Sequence, residues 1–231
     1  MKTIGLLGGM SWKSTQEYYR ILNEEAAKRL GGLSSALILL HSVNLAELHS
    51  LQELEEWEAI AAHLGWLGRG LRLAGADFLV VCANTMHRVA EEISLSAELP
   101  VLHIGDAAAS AIKRAGLSRV GLLGTLPTME QEFLRDRFMD QDLEVLVPES
   151  PDRELIHRVI FEELCRGELL DESRAEFVRI IKGLQHQGAQ GVVLGCTEIP
   201  LLIRQEHVDL PLFDTLRIHA LAAIERALEA E

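Results

Sequence analysis

The chain is short of sulfur, of basic charge and of long apolar runs, and each shortage removes a class of protein. Three cysteines (Cys82, Cys165 and Cys196) among 231 residues cannot build a disulfide framework. They indicate a reduced, cytoplasmic protein whose thiols are buried or reactive. Lysine and arginine number 22 against 35 aspartates and glutamates, a net charge of −13. Such a field repels phosphate backbones and points away from nucleic acid. The most apolar window, residues 36–40, is far short of the ~20 residues of a membrane span. Residues 4–10 are apolar but interrupted by glycines and followed by Ser11, Trp12 and Lys13, a poor signal peptide. The nine histidines include no His-Glu-x-x-His and no cysteine–histidine spacing suited to zinc, so no metal site is expected.

What remains is an ordinary globular composition, 48% hydrophobic and 25% charged, which excludes disorder. Short runs of Ile, Leu and Val at residues 3–7, 36–41, 78–81, 101–103, 120–123, 191–194 and 212–213 alternate with longer helical stretches. Their continuous apolarity suits strands covered by helices on both faces. Ser11 is placed to cap the first helix, and Gly31-Gly32 to end it; Gly75, Gly116 and Gly188 close helices before new strands. The fold class is α/β with mostly parallel sheets.

The chain also repeats itself. Gly5-Leu6-Leu7-Gly8 matches Gly121-Leu122-Leu123-Gly124, and residues 70–83 match residues 183–196. Leu99-Pro100 then matches Leu210-Pro211, and residues 111–115 match residues 223–227. The order is kept and the offsets are 116, 113, 111 and 112. This predicts two similar domains related by a pseudo-twofold duplication: residues 1–98 plus 210–231, and residues 99–209. In such sheets ligands bind at the carboxyl ends of the strands, so the expected site is the cleft shared by the two halves.

Three segments at strand ends carry candidate chemistry. Residues 4–11 read Ile-Gly-Leu-Leu-Gly-Gly-Met-Ser, a glycine-rich turn that lacks a nucleotide-binding signature. Its backbone amides could hold a small carboxylate at the helix N-terminus, or the turn merely needs glycine. Cys82-Ala83-Asn84-Thr85-Met86-His87 follows one buried strand, and Gly195-Cys196-Thr197-Glu198 follows its counterpart. A thiol at a helix N-terminus falls below its free pKa of about 8.5 and becomes a usable base near neutral pH. The repeat aligns Cys196 with Ala83 and leaves Cys82 one residue out of register, where it is either a displaced base or an inert small hydrophobe. His87 either orients its motif or caps a packing layer. Glu198 either orients Cys196 or is a solvated carboxylate at a helix start. Cys165, in an amphipathic helix over residues 151–167, reads as core filler, and the acidic run at residues 53–58 as a solvated helix face.

Taken together, Lys-Thr-Ile-Gly-Leu-Leu-Gly-Gly-Met-Ser-Trp at the start, Cys-Ala-Asn-Thr-Met-His, Thr-Met-Glu-Gln-Glu-Phe at residues 128–133, Phe-Glu-Glu-Leu-Cys at residues 161–165 and Gly-Cys-Thr-Glu-Ile at residues 195–199 resemble the aspartate/glutamate racemase family over nearly the whole chain. The resemblance implies a cofactor-independent amino-acid racemase, using neither pyridoxal phosphate nor metal, with one thiol on each face of the substrate α-carbon. Cys196 is then the second thiol, and Ala83 stands where the first should be. Cys82, Thr85 or a bound water would have to serve the opposite face. The resemblance also implies substrate contacts at Gly9, Met10, Gln52, Asn84, Thr85, Cys165, Thr197 and Glu198. Acid-specific members carry basic residues near Gln52 and Cys165. Here Leu51, Gln52, Glu53, Leu54 and Cys165 are not basic, which implies a neutral or broad amino-acid preference, with Arg166 the one adjacent cation. A homodimer is implied as well. Two readings compete with a racemase: a single-thiol decarboxylase, resembling arylmalonate decarboxylase, and a small-ligand sensor that has lost its second base.

Overall fold

The computed structural model, which describes residues 1–229, divides into two compact units. The first runs from Met1 to Ile104 and resumes at His219; the second is Gly105–Ile218.

The first unit holds β1 (Ile4–Gly8), α1 (Trp12–Leu30), β2 (Ile38–Ser42), α2 (Leu45–Glu53), α3 (Trp57–Leu73), β3 (Phe78–Val81), a 3-10 turn (Thr85–Val89), α4 (Ala90–Ala97) and β4 (Val101–Leu102). The second holds most of α5 (Ile104–Arg114), then β5 (Arg119–Leu123), α6 (Leu126–Glu130), α7 (Glu132–Met139), β6 (Glu144–Leu146), α8 (Ser150–Glu162), α9 (Asp171–His186), β7 (Gly191–Leu194), α10 (Ile199–Leu202) and β8 (Leu212–Asp214). The last helix, α11 (Thr215–Leu228), begins in the second unit and ends in the first. Each unit has one four-stranded parallel sheet, and the two have the same order: β2-β1-β3-β4 and β6-β5-β7-β8.

The repeat extends to hydrogen-bond register. Ile4 lies opposite Phe78 and Leu7 opposite Val81. The residues the repeat aligns with them, Val120 with Gly191 and Leu123 with Leu194, are paired in the same way. The outer pairs agree as well, Leu79 with Val101 and Val192 with Leu212. A one-residue slip in either sheet would turn a whole strand inside out, so matching register means matching side-chain direction.

Side-chain alternation then builds a core on each face of each sheet. In the second unit Val192 and Leu194 pack toward α8, α9 and α10 with Phe177, Ile180 and Ile199. Val193 points the other way, toward Ile112 of α5 and Phe138 of α7. In the first unit Leu79 and Val81 pack with Leu64, Leu67 and Ile93 of α3 and α4. Phe78 points oppositely, with the Arg226 guanidinium of α11 over its ring at 4.9 Å. Ser11 caps α1 through the Ser14 amide, and Gly31 ends that helix at φ +79° with its N–H returned to the Ala27 carbonyl.

Four expectations change. The predicted boundaries at 98/99 and 209/210 fall too early: β4 pairs with β3 and β8 with β7, which moves the boundaries to 104/105 and 218/219. β2 is not covered on both faces; it is a sheet edge, with Leu40 46% exposed. The helix expected over residues 151–167 stops at Glu162, and a separate 3-10 turn, Leu164–Arg166, follows. The acidic run is solvated, but it spans the end of α2, the exposed connection at residues 54–56 and the start of α3, so it forms no single helix face. A strand missing from the sequence reading, β6, is a three-residue edge that opens on exposed Glu144. Among the described residues no helix is long and apolar enough to cross a membrane.

His219 shows what this core does to a polar group. Its Nε2 lies 2.8 Å from the Leu102 carbonyl and so carries the proton, leaving Nδ1 to accept from the Tyr18 hydroxyl at 2.8 Å. Burial first, and the neighbouring His87 second, push its pKa down to about 3. The unfolded imidazole titrates near 6.5 and so binds protons more readily than the folded one. The stabilisation is therefore complete above about pH 6.5 and is lost as pH falls toward 3. Urea denaturation should show the unfolding free energy lower by about 2–3 kcal/mol at pH 4.5 than at pH 7 from this group. The fall should be visibly smaller in His219→Gln, and an equal fall would remove His219 as its source.

Candidate active site

The second unit offers the more reactive arrangement. β7 ends at Leu194, whose carbonyl accepts the Thr215 hydroxyl at 2.8 Å, and the Gly195 amide donates to the Leu123 carbonyl at 2.7 Å. Both neighbouring residues are thus held, and Cys196 emerges with the side-chain parity of Val192 and Leu194, packed against their cluster. Its Sγ donates to Glu198 Oε2 at 3.0 Å, and the Thr197 hydroxyl donates to the same oxygen at 2.7 Å. One carboxylate oxygen therefore collects two protons' worth of hydrogen bonding beside the thiol.

This environment reverses the expected electrostatics. The Cys196 thiol is pushed well above its ordinary pKa, first by burial and next by the negative charge of Glu198, with a small contribution from Cys165. The helix behind it, α10, has only four residues and supplies little dipole to oppose that. At rest the group is a thiol hydrogen-bonded to a carboxylate, not a thiolate at a helix terminus. Cys165, expected in a helix core, is instead exposed on the Leu164–Arg166 turn.

The turn after β7 is flanked by Thr125, which the sequence reading passed over, and by Thr128, which it quoted only within the motif at residues 128–133. Thr125, which precedes α6, and Thr128 within that helix have their hydroxyls 3.1 Å apart just beyond the end of β5, and Thr128 is buried. A Cβ added to Gly124 would stand 2.9 Å from the Thr128 Cγ2, and one added to Gly195 3.0 Å from the same atom. The glycines are there to let this threonine between the two strand ends. Their signal was the strand-end glycine in each half of the repeat: Gly8 likewise faces Thr15.

The first unit has a matching turn with different chemistry. Ala83, half-buried, packs on the α3/α4 side with Leu79 and Val81, the parity that Cys196 has in its own unit. Cys82 does not substitute for it. Its side chain is completely buried on the opposite side of the strand, Sγ lies 3.9 Å from the Val80 carbonyl, and burial drives its pKa far upward. This corrects its place among the catalytic candidates: period-two alternation puts it with Phe78 and Val80, where it fills core. Asn84 is buried and Thr85, half-buried, opens the Thr85–Val89 turn. His87 is buried, with Nδ1 2.8 Å from the Ala83 carbonyl.

The glycine turn is also more constrained than expected. The Gly9 amide donates to the Thr15 hydroxyl at 2.8 Å, which in turn donates to the Ser11 carbonyl at 2.9 Å. Gly9 therefore drops out as a carboxylate donor; it is required because φ is +90° and a Cβ would overlap the Val43 backbone. Met10 is buried in the same cluster that Ala83 and Leu51 pack against. Gln52, beside Leu51 on α2, is half-buried. The structure thus brings Cys196, Thr197 and Glu198 together at one strand end, with Cys165 near enough to add to the upward push on the thiol. It groups Ala83, Asn84, Thr85 and His87 at the equivalent strand end of the other unit.

The turn after β7 thus sets a thiol beside a carboxylate at the carboxyl end of a parallel strand, and the aligned positions after β3, Ala83, Asn84 and Thr85, offer neither group. The profile of the Asp/Glu/hydantoin racemases matches residues 7–223, and the chain belongs to that family. A Yersinia pestis protein provisionally described as an Asp/Glu racemase is 47% identical, covers 99% of this chain and 100% of its own, and superposes with a TM-score of 0.96. An aspartate racemase homologue from Pyrococcus horikoshii is 36% identical over 99% and 100% of the two chains, with a TM-score of 0.88. The aspartate racemase of Picrophilus torridus, 21% identical over 98% and 94%, shares the fold with a TM-score of 0.72.

Alkylation reads these environments directly. With iodoacetamide on the native protein, Cys165 should react first and Cys82 not at all. Glu198→Gln keeps an acceptor for the Sγ–H but removes the negative charge that favours the thiol, so Cys196 should alkylate faster at fixed pH, by roughly tenfold for each pKa unit released. A slower rate in that variant would contradict the assignment.

Proposed function

We propose that this chain is an amino-acid racemase that needs no cofactor, with Cys196 as one acid/base and a non-standard partner at the position of Ala83. The Cys196–Glu198 hydrogen bond carries the reading. Transfer of the thiol proton to Glu198 leaves a thiolate able to take the substrate Cα proton. The thiol so formed returns a proton to the carbanion from the same side. A raised thiol pKa suits the returning step, because at neutral pH the sulfur holds its proton until the carbanion takes it. Asn84, Thr85 and Thr197, with the Met10 amide, are assigned to the α-carboxylate and the enolate charge that develops on it.

Alanine exchanges no proton, so the opposite face falls to Thr85 or to a water recruited by that turn. Both are weaker acids than a thiol, so inversion should be slower than exchange. The absence of Lys and Arg among Leu51, Gln52, Glu53, Leu54 and Cys165 favours neutral or varied amino acids over aspartate. The setting that fits is a cytoplasmic homodimer acting on a free amino acid. The missing base at Ala83 also favours a second reading, a lyase in which Cys196 protonates an enolate left by loss of CO2.

Incubation with separate L- and D-amino acids in D2O, followed by NMR and chiral analysis, distinguishes these readings. Deuterium should enter Cα of neutral amino acids, with inversion trailing exchange. Cys196→Ala should lower exchange by roughly 10²–10⁴-fold, and Ala83→Cys should raise inversion. Exchange that survives Cys196→Ala would overturn the proposal. No exchange with any amino acid, together with CO2 release from activated dicarboxylates, would move the assignment to the lyase. Aspartate exceeding every neutral substrate would overturn the specificity, with Arg166→Ala locating the cause.

A further inference from the structure

Behind the Ala83 turn lies a group of side chains that the proposed reaction does not use. His87, His103 and His219 are all buried in the first unit. The His87 ring meets His103 edge-on at 4.7 Å and His219 edge-on at 5.4 Å. Each comes from a different element: the turn after β3, the end of β4, and α11. Tyr18 of α1 joins them through its hydroxyl on His219. Among the described residues no three His, Cys, Asp or Glu side chains are grouped as metal ligands would be.

Hydrogen-bond directions define what the group does. A carbonyl only accepts, so His87 carries its proton on Nδ1 and donates it to the Ala83 carbonyl at 2.8 Å. The peptide that follows is planar and trans, so holding the Ala83 carbonyl toward His87 aims the Asn84 N–H in the opposite direction. The duplication supplies a control. The residues that repeat and register align with His87 and His103 are Pro200 and Asp214, in a unit with the same topology. The fold therefore does not demand imidazoles at these places; only the half with alanine at the position aligned with Cys196 has them.

We propose that His87 is a positioning residue for the first half of the active site. It holds the Ala83 carbonyl, and through that peptide the Asn84 amide and the Thr85 side chain, in the orientation substrate requires. His103, His219 and Tyr18 hold the His87 ring in place. The inference rests on the racemase reading, and its test separates the two.

In the full-length protein, His87→Leu keeps the bulk and removes the donor, whereas the His87→Asn amide places a donor near the position of Nδ1. α-Proton exchange should lose roughly 10–100-fold in kcat in His87→Leu, with KM changed less than about threefold, and His87→Asn should recover most of the loss even where both variants share a lowered Tm. A folded His87→Leu with the parent kcat would overturn the proposal, as would equal losses in both variants. Nitrogen-15 NMR of the unsubstituted protein provides a readout that needs no activity and no variant. His87 should be the neutral Nδ1–H tautomer at pH 7, and an Nε2–H tautomer would overturn the proposal. If the unsubstituted protein exchanges no α-proton, the racemase reading fails, and the tautomer alone then decides whether His87 holds the Ala83 carbonyl.

Discussion

Side-chain parity along two buried parallel strands governs the candidate site. β3 and β7 each lie between two paired neighbours and are covered on both faces, so neither can slip or rotate without exposing a row of Leu and Val. Two residues past the last strand position, that parity still operates. It brings Cys196 out on the side of Leu194 and Ala83 out on the side of Val81, and it sends Cys82 into the core behind. The same alternation explains why a thiol one residue away in sequence is no substitute in chemistry.

The second constraint is the competition between burial and dipole at Cys196. A helix terminus is worth about 0.3–1 kcal/mol to a nearby charge, below the ~1.4 kcal/mol of one pKa unit, and α10 is a single turn. Burial can move a thiol by several units, and the Glu198 carboxylate adds to it. Burial wins, and the sulfur rests protonated. The carboxylate of Glu198 is engaged by both the thiol and the Thr197 hydroxyl, which sets this glutamate apart from a solvated helix-start residue.

The halves differ at their strand-end turns and agree where the fold is made. Strand order and register are shared down to individual pairs, whereas the turn after β7 holds Cys-Thr-Glu and the turn after β3 holds Ala-Asn-Thr backed by histidines. Imidazoles buried together are costly unless each finds a partner and stays neutral, and His219 does both through Tyr18 and Leu102. The aligned positions of the other unit, Pro200 and Asp214, carry no imidazole.

The sequence by itself determined the α/β class, the repeat, seven of the eight strands and the two motif-bearing turns, because central parallel strands are continuous apolar runs and glycines close the helices before them. It also determined that Ala83 and Cys196 are counterparts, since a period of two and a constant offset are properties of the chain alone. β6 was illegible because a three-residue edge strand buries too little to leave a pattern. Only the tertiary structure decided that Cys82 is core, that Cys165 is exposed beyond a helix that ends early, that the Gly9 amide is already taken by Thr15, and that the Cys196 thiol is raised and not lowered. Each of those depends on which groups from distant segments surround a given atom. Desolvation and hydrogen-bond partners are set by that surrounding, which no local pattern of residues encodes.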